Sequence, residues 1–348
     1  MTEWAAMISE IPPSVVLAVG ALLIPALPGS FRSAWFIALP LLGLALLWSL
    51  PTQLAEACVV SMRYGGLPLM PYVSDPLSRV FASAFLVVVA TGGVYAWHNR
   101  DAGEKMGTLF YAAGALGVVL AGDYLTLFVF WELMALSSTW LVWSRRDAES
   151  GSAGLRYLLY HVLGGGLLLA GILLEVTHTG SLQIQPFETS GAGGLAGLLT
   201  SPGHPGAWLV LLGVAVNAAI PPLHTWLPDA YPKATVTGAV FMSALTTKSA
   251  IYVLIRLFPG WEVLVWLGLA MALYGTIWGL MSDSIRQIFA YSILAQLGYM
   301  VTAIGTGLDL ALNGAAAHAF SHILYKSLLF MAGGALIFLP KFDAAEVL

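Results

Sequence analysis

Apolar runs long enough to cross a lipid bilayer follow one another along the whole chain, separated by short polar connections. About 20 apolar residues cover the hydrocarbon core as a helix. On that template the sequence predicts about eleven transmembrane helices, over 13–28, 34–50, 78–97, 106–121, 124–143, 155–176, 207–226, 236–257, 261–281, 287–305 and 310–338. The stretch 177–206 is rich in Gly, Ser and Pro and reads as a long loop, in part re-entrant. The pattern predicts an all-α polytopic membrane protein with no soluble domain.

The informative positions are the breaks in that pattern. Glu132, Lys248, His318, His322 and Lys326 each sit near the middle of an apolar run. A charge at the bilayer centre costs about 3 kcal/mol on insertion scales, so such residues face a protein interior, water or each other. Glu132 lies about 12 Å along its helix from Tyr124 at 1.5 Å per residue. A carboxylate there is costly to keep charged unless a cation stands beside it. Moving that cation in and out would switch the acid between holding and releasing a proton. The plainer reading is a carboxyl that bonds a neighbouring helix. Lys248 is too deep to reach either surface, and is either a proton carrier or one half of a structural ion pair.

His318, His322 and Lys326 recur at i, i+4 and i+8, with Ser321 and Tyr325 beside them. That spacing puts them on one helix face. Imidazoles titrate near neutrality and relay protons, although a single buried histidine is ordinarily a satisfied core residue. Haem ligation is a rival chemistry. Histidines four apart on one helix cannot supply opposite axial ligands, so a second helix, through His161, would have to contribute.

The segment VAVNAAIPPLHTWLPDAYPKATVTG holds Asn217, Pro221, Pro222 and Pro228. Proline removes a backbone donor and breaks helices. Broken helices inside a membrane are tolerated where their backbone lines a cavity. His224, Asp229 and Lys233 follow the break and read equally as loop-closing bonds or as a proton-uptake site. Asp123, at the start of the 124–143 run, reads as interfacial. Gly164, Gly165 and Gly166 read as close helix packing.

Composition sharpens this picture. The 348 residues are 59% hydrophobic and 9% charged, with a mean hydropathy of +0.84, which excludes an ordinary soluble domain. Twelve tryptophans fit interfacial belts and packing. The single cysteine, Cys58, excludes an internal disulfide and a cysteine-based metal site. The opening MTEWAAMISEIPPS has acids and no basic region, unlike a cleaved signal peptide. No nucleotide-binding glycine motif is present, and nothing suggests nucleic acid. With alternating spans, Arg32, Arg100, Lys105, Arg145, Arg146, Arg156, Lys233, Arg286 and Lys341 collect on one side, and Arg63, Arg79 and Arg256 on the other. The positive-inside rule then places the N-terminus in the periplasm and the C-terminus in the cytoplasm of a prokaryotic inner membrane.

The segments GDYLTLFVFWEL, PPLHTWLPDAYPKA, SALTTKSAIYVLIRLF, DSIRQIFAYSILAQLGYM and AAAHAFSHILYKSLLFMAGG, in that order, resemble the proton-translocating antiporter-like subunits shared by respiratory complex I and Mrp-type cation/proton antiporters. The likeness covers roughly residues 75–340 and is nearest to the Mrp D-type subunit. The resemblance implies two inverted five-helix repeats, each with a broken helix, and a polar axis along the membrane. It divides the chain into N-terminal helices (1–105), a first repeat (106–257) and a partial second repeat (258–348). It matches Glu132 to the fifth-helix glutamate, Lys248 to the eighth-helix lysine joining two half-channels, and His318, His322 and Lys326 to path residues of the eleventh helix.

Two departures matter. The lysine that pairs with the glutamate in the family stands seven residues before the histidine of the WLPDA-type motif, and here that position is Asn217. Glu132 would then stay protonated more often, or take His161 or a neighbouring subunit's lysine as partner. The resemblance also implies a twelfth to fourteenth helix, which would come from another membrane subunit or be absent.

The expectation is a subunit of a multi-subunit membrane complex that moves protons, or exchanges Na⁺ for H⁺. It would have no cofactor and no redox chemistry of its own, and would be driven by a redox arm or a second ion gradient. The alternatives are a non-pumping structural subunit, for example of an inorganic-carbon uptake complex, and a quinone- or haem-binding anchor.

Overall fold

The computed structural model of the chain describes residues 10–50, 58–64, 66–187 and 205–336. Lys341, the first nine residues and most of the predicted 177–206 loop lie outside the described residues. The molecule is built from α1 (Pro13–Leu23), α2 (Gly29–Ser49), a hairpin of β1 (Cys58–Tyr64) and β2 (Leu67–Val73), α3 (Pro76–Tyr95), α4 (Ala102–Leu120), α5 (Tyr124–Trp143), α6 (Ala148–Thr179), α7 (Pro205–Asn217), α8 (Trp226–Ala230), α9 (Val236–Ala244), α10 (Thr246–Leu257), α11 (Glu262–Leu280), α12 (Ile285–Thr306) and α13 (Asp309–Leu336). Eight helical segments among the described residues are long and apolar enough to cross a membrane. The segments Pro13–Ala26 and Pro205–Asn217 are apolar but shorter.

Local chemistry explains where the helices start. Asp75, Asp101, Asp123, Asp147, Thr235 and Ser284 each accept a backbone N–H of the first turn through the side chain, satisfying a donor that a helix start leaves free. Gly180 and Gly307 adopt left-handed φ values of 70° and 67° and end α6 and α12.

The sequence reading placed nothing between 50 and 78, and there the structure has the antiparallel hairpin, in register Tyr64↔Leu67 to Cys58↔Val73 with irregular pairing. Prolines at 68 and 71 and the absence of strict alternation hide β2 from a pattern search. Asp123, the N-cap at the start of α5, is fully enclosed by the protein. Its Oδ2 accepts Met70 N at 2.8 Å and Thr126 Oγ1 at 2.7 Å, and its Oδ1 accepts Thr126 N at 2.8 Å, so it ties the hairpin to α5.

Adjacent helices pack as α4 on α5, α5 on α6, α6 on α7, and α11 on α12, with α13 closing against α12, α9 and α3. The segment 236–257 is wholly enclosed and forms the centre. Large apolar side chains cover the outside, among them Leu173, Trp266, Leu273 and Leu280, as lipid requires. The basic residues gather at the end opposite the hairpin: Arg145 and Arg286 both donate to Pro232 O, at 3.3 and 2.6 Å, and Arg32 donates to Arg100 O at 3.0 Å.

Candidate functional site

The centre of the molecule is a helix that the sequence reading took as continuous. The 236–257 segment breaks at Leu245 (φ −97°, ψ −68°) into α9 and α10. A break frees backbone groups, and buried ones must find partners. Lys248 Nζ donates to Ser243 O at 2.5 Å, Tyr231 OH donates to Met242 O at 2.8 Å, and Thr246 N donates to Tyr111 OH at 2.9 Å. The lysine is fully buried and bonds a carbonyl instead of a carboxylate.

A chain of hydroxyls leads away from this break. Tyr111 OH and Thr246 Oγ1 are 2.6 Å apart, Thr246 Oγ1 lies 3.5 Å from Tyr157 OH, and Tyr157 OH donates to Ser138 Oγ at 2.9 Å. These residues join α4, α10, α6 and α5 below the surface. Sequence reasoning missed them because isolated Tyr, Thr and Ser in apolar helices carry no distinctive spacing.

On the other side of Lys248 stands α13. Its predicted stripe faces inward: His322 and Lys326 are buried and His318 is half-buried. His318 Nε2 lies 2.9 Å from Gln296 Oε1, and Lys326 Nζ donates to Ser292 Oγ at 2.5 Å. Ser292 and Gln296 are four apart on α12, a polar pair that the sequence reading had not singled out despite its i, i+4 spacing. The Lys248 charge reaches His318 and His322 and the Lys326 charge reaches Lys248, so the structure brings these four groups into one interior. Neither ring nitrogen of His322 has a protein hydrogen-bond partner. Buried polar atoms cost about 1–3 kcal/mol when left unbonded, so these nitrogens mark a place that suits water.

Glu132 stands apart from this group. Its Oε1 is buried without a hydrogen-bond partner, and no basic side chain among the described residues forms an ion pair with it. The carboxylate lies over Gly165, where a methyl group would overlap Oε1. Gly164 serves packing, since a side chain there would meet Val216 of α7, while Gly166 faces open space. Asn217, the position of the family lysine, is fully buried, and neither its Oδ1 nor its Nδ2 has a partner. His161 is not bonded to Glu132. Its Nδ1 lies 2.8 Å from Tyr157 O, its ring stacks on Tyr157 and meets Trp226 edge-on, and its Nε2 is free.

The helix carrying Asn217 breaks where the prolines predict. Ala219 takes a positive φ of 55°, the Pro221–Pro222 bond is cis, and Trp226 Nε1 donates to the Val216 carbonyl at 2.8 Å. His224 is buried against Tyr274 with both nitrogens unbonded. Asp229 closes the loop. It receives Arg156 Nε and Nη2 at 2.7 and 3.0 Å and Lys233 Nζ at 2.6 Å. Burial raises the Asp229 carboxyl, but the bonds from Arg156 and Lys233 outweigh it and leave it below the usual carboxylate value.

A buried lysine at a helix break, facing a histidine–lysine stripe, defines a membrane protein built to hold charge and water inside the bilayer. Residues 121–340 match the transmembrane family of NADH:quinone oxidoreductase and Mrp antiporter subunits, and the chain belongs to that family. It is 33% identical over 287 residues to NADH-quinone oxidoreductase subunit N of Desulforudis audaxviator, covering 75% of this chain and 55% of that one. It is 32% identical over 292 residues to NAD(P)H-quinone oxidoreductase chain 5 of Synechocystis, covering 77% and 41%. Among solved structures, the Mrp complex of Dietzia sp. DQ12-45-1b shares the fold with a TM-score of 0.80 at 24% identity, covering 97% of this chain and 65% of that one. An archaeal membrane-bound sulfane sulfur reductase gives 0.79 at 26% identity, covering 96% and 57%. The chain spans about half the length of the curated relatives it matches.

Proposed function

We propose that this chain is a proton-translocating subunit of a larger membrane complex, with Na⁺ as a second ion that exchange would move. The observation that carries this reading is the gathering of Lys248, His318, His322 and Lys326 beside a broken helix, with no acidic counter-charge among the described residues bonded to them. Like charges in one buried space cannot all be protonated together, so a proton arriving at one favours loss from the next. Protons would be taken up from the cytoplasmic side near His224, Asp229 and Lys233, pass Glu132 and Lys248, and continue to His322 and Lys326.

In this reading all eleven helical passages cross the membrane, and residues 106–257 form the first repeat and 258–348 part of the second. The basic end is cytoplasmic, in a prokaryotic inner membrane. The helices that relatives carry beyond the matched part would lie against α13, whichever polypeptide holds them. On this reading the chain binds no haem, and an absorption spectrum of the purified chain is expected to have no Soret band. Proton flux into vesicles bearing the assembled complex tests the path: Lys326→Ala is expected to lower flux at least tenfold, and unchanged flux would refute it.

A second reading is a structural subunit that does not pump. The unpaired Glu132 and the neutral Asn217 favour it. It expects Glu132→Gln, Lys248→Ala and Lys326→Ala all to leave flux intact.

A further inference from the structure

The stripe on α13 has a counterpart on α10. Lys248, Tyr252 and Arg256 recur at i, i+4 and i+8, on one face running from the centre of the molecule to the hairpin end. Tyr252 is nearly enclosed, packed edge-on against Phe81, and its OH accepts Arg256 Nε at 3.0 Å. Arg256 Nη2 in turn bonds Asp75 Oδ2. Asp75 is held from its other oxygen by Ser78 N at 2.9 Å, as the N-cap of α3.

These residues line a cavity of about 320 Å³ whose wall includes Asp75, Gly122, Gln183, Tyr252, Val253 and Arg256. Gln183 is exposed, so the cavity reaches the hairpin surface beside it. Its volume holds several water molecules. Most of its wall is apolar, and Asp75, Gln183, Tyr252 and Arg256 give it a polar strip on which water can bond. Ser249 is next in sequence to Lys248 and one helical turn before Val253 of the cavity wall. Its buried Oγ has no protein partner.

We propose that this cavity is a proton-release vestibule: the path through Lys248 opens directly to the hairpin face along α10, by way of Ser249, Tyr252 and cavity water. The transported species is a proton. It leaves the Lys248 ammonium, each hydroxyl on the way accepts one proton as it donates another, and the last is delivered to water beside Arg256 and Asp75. No bond other than O–H and N–H changes. The Asp75–Arg256 pair positions Tyr252 through the Arg256–Tyr252 bond. The vestibule rests on the proposed pumping role and gives the proton held at Lys248 an exit on this chain; the α13 stripe is still needed, because its charge drives the proton off Lys248, so Lys326→Ala and Tyr252→Phe each lower flux.

The test uses the assembled complex with Cys58→Ser as background and Val253→Cys as the probe. Right-side-out and inverted membrane vesicles are treated with a membrane-impermeant cationic thiol reagent. Val253→Cys is expected to react from the hairpin face at least tenfold faster than Ile251→Cys, a core position off the cavity wall, and not from the opposite face. Labelling it is expected to cut proton flux at least fivefold. Tyr252→Phe, which keeps the cavity shape, is expected to leave the labelling rate of Val253→Cys unchanged while slowing flux at least fivefold. Failure of Val253→Cys to react, or full flux after labelling, overturns the vestibule while leaving the pumping role standing if Lys248→Ala still abolishes flux. Full flux in Lys248→Ala overturns both.

Discussion

A methyl group added at position 165 would overlap the Glu132 carboxylate, because α5 and α6 approach with only a hydrogen between the side chain and the opposing backbone. Overfilling a packed site costs about 1–3 kcal/mol. Gly165→Ala is therefore expected to destabilise the protein by about that much, and shortening the acid in Glu132→Ala should remove most of the cost in the double variant. Thermal unfolding in detergent reads the cycle, and equal losses with and without the glutamate would contradict the packing. At this scale the sequence was a good guide to which residues are unusual. Lys248, His322 and Lys326 lie inside and Glu132 is half-buried, with one carboxylate oxygen enclosed, and Asn217 foretold the missing ion pair. It was a poor guide to partners. Nothing in the pattern links Lys248 to the Ser243 carbonyl or Lys326 to Ser292, because those bonds depend on where two helices touch.

The helices themselves were largely readable, since span length and capping are local properties. The exceptions are instructive. The break at Leu245 has no proline or glycine to announce it, and is held by Lys248 from the next turn and by Tyr231 and Tyr111 from elsewhere in the chain. The break between α7 and α9, which carries α8, is announced by its prolines, and its closure by Asp229 has a pH signature. With the carboxyl held below its ordinary value in the folded protein, the Arg156 and Lys233 bonds stabilise it fully above the unfolded carboxylate value of about 3.9. That stability is lost as the pH falls through the lower folded value. Asp229→Asn should therefore cost about 1 kcal/mol at neutral pH, as partly exposed ion pairs do. The difference between variant and parent should shrink towards zero as the pH is lowered past that range. A difference independent of pH would mean that the carboxylate charge is not what holds the loop.

Across the whole molecule, the enclosed 236–257 segment separates two polar regions of different character. One side holds Glu132, His161 and Asn217, of which His161 packs on Tyr157, whose hydroxyl reaches Ser138 and Thr246 at the centre. The other holds the α13 stripe with its lysine and histidines. Lys248 stands between them and is the group through which a proton moving from one region to the other would pass. Its position makes it the sharpest probe of the account. Proton flux should be measured in vesicles bearing the assembled complex, with Lys248→Ala and Glu132→Gln compared in the same membranes at matched assembly. The account predicts at least a tenfold loss for Lys248→Ala and a smaller loss for Glu132→Gln, whose carboxylate has no ion-pair partner to switch. Flux in Lys248→Ala equal to that of the parent would contradict it.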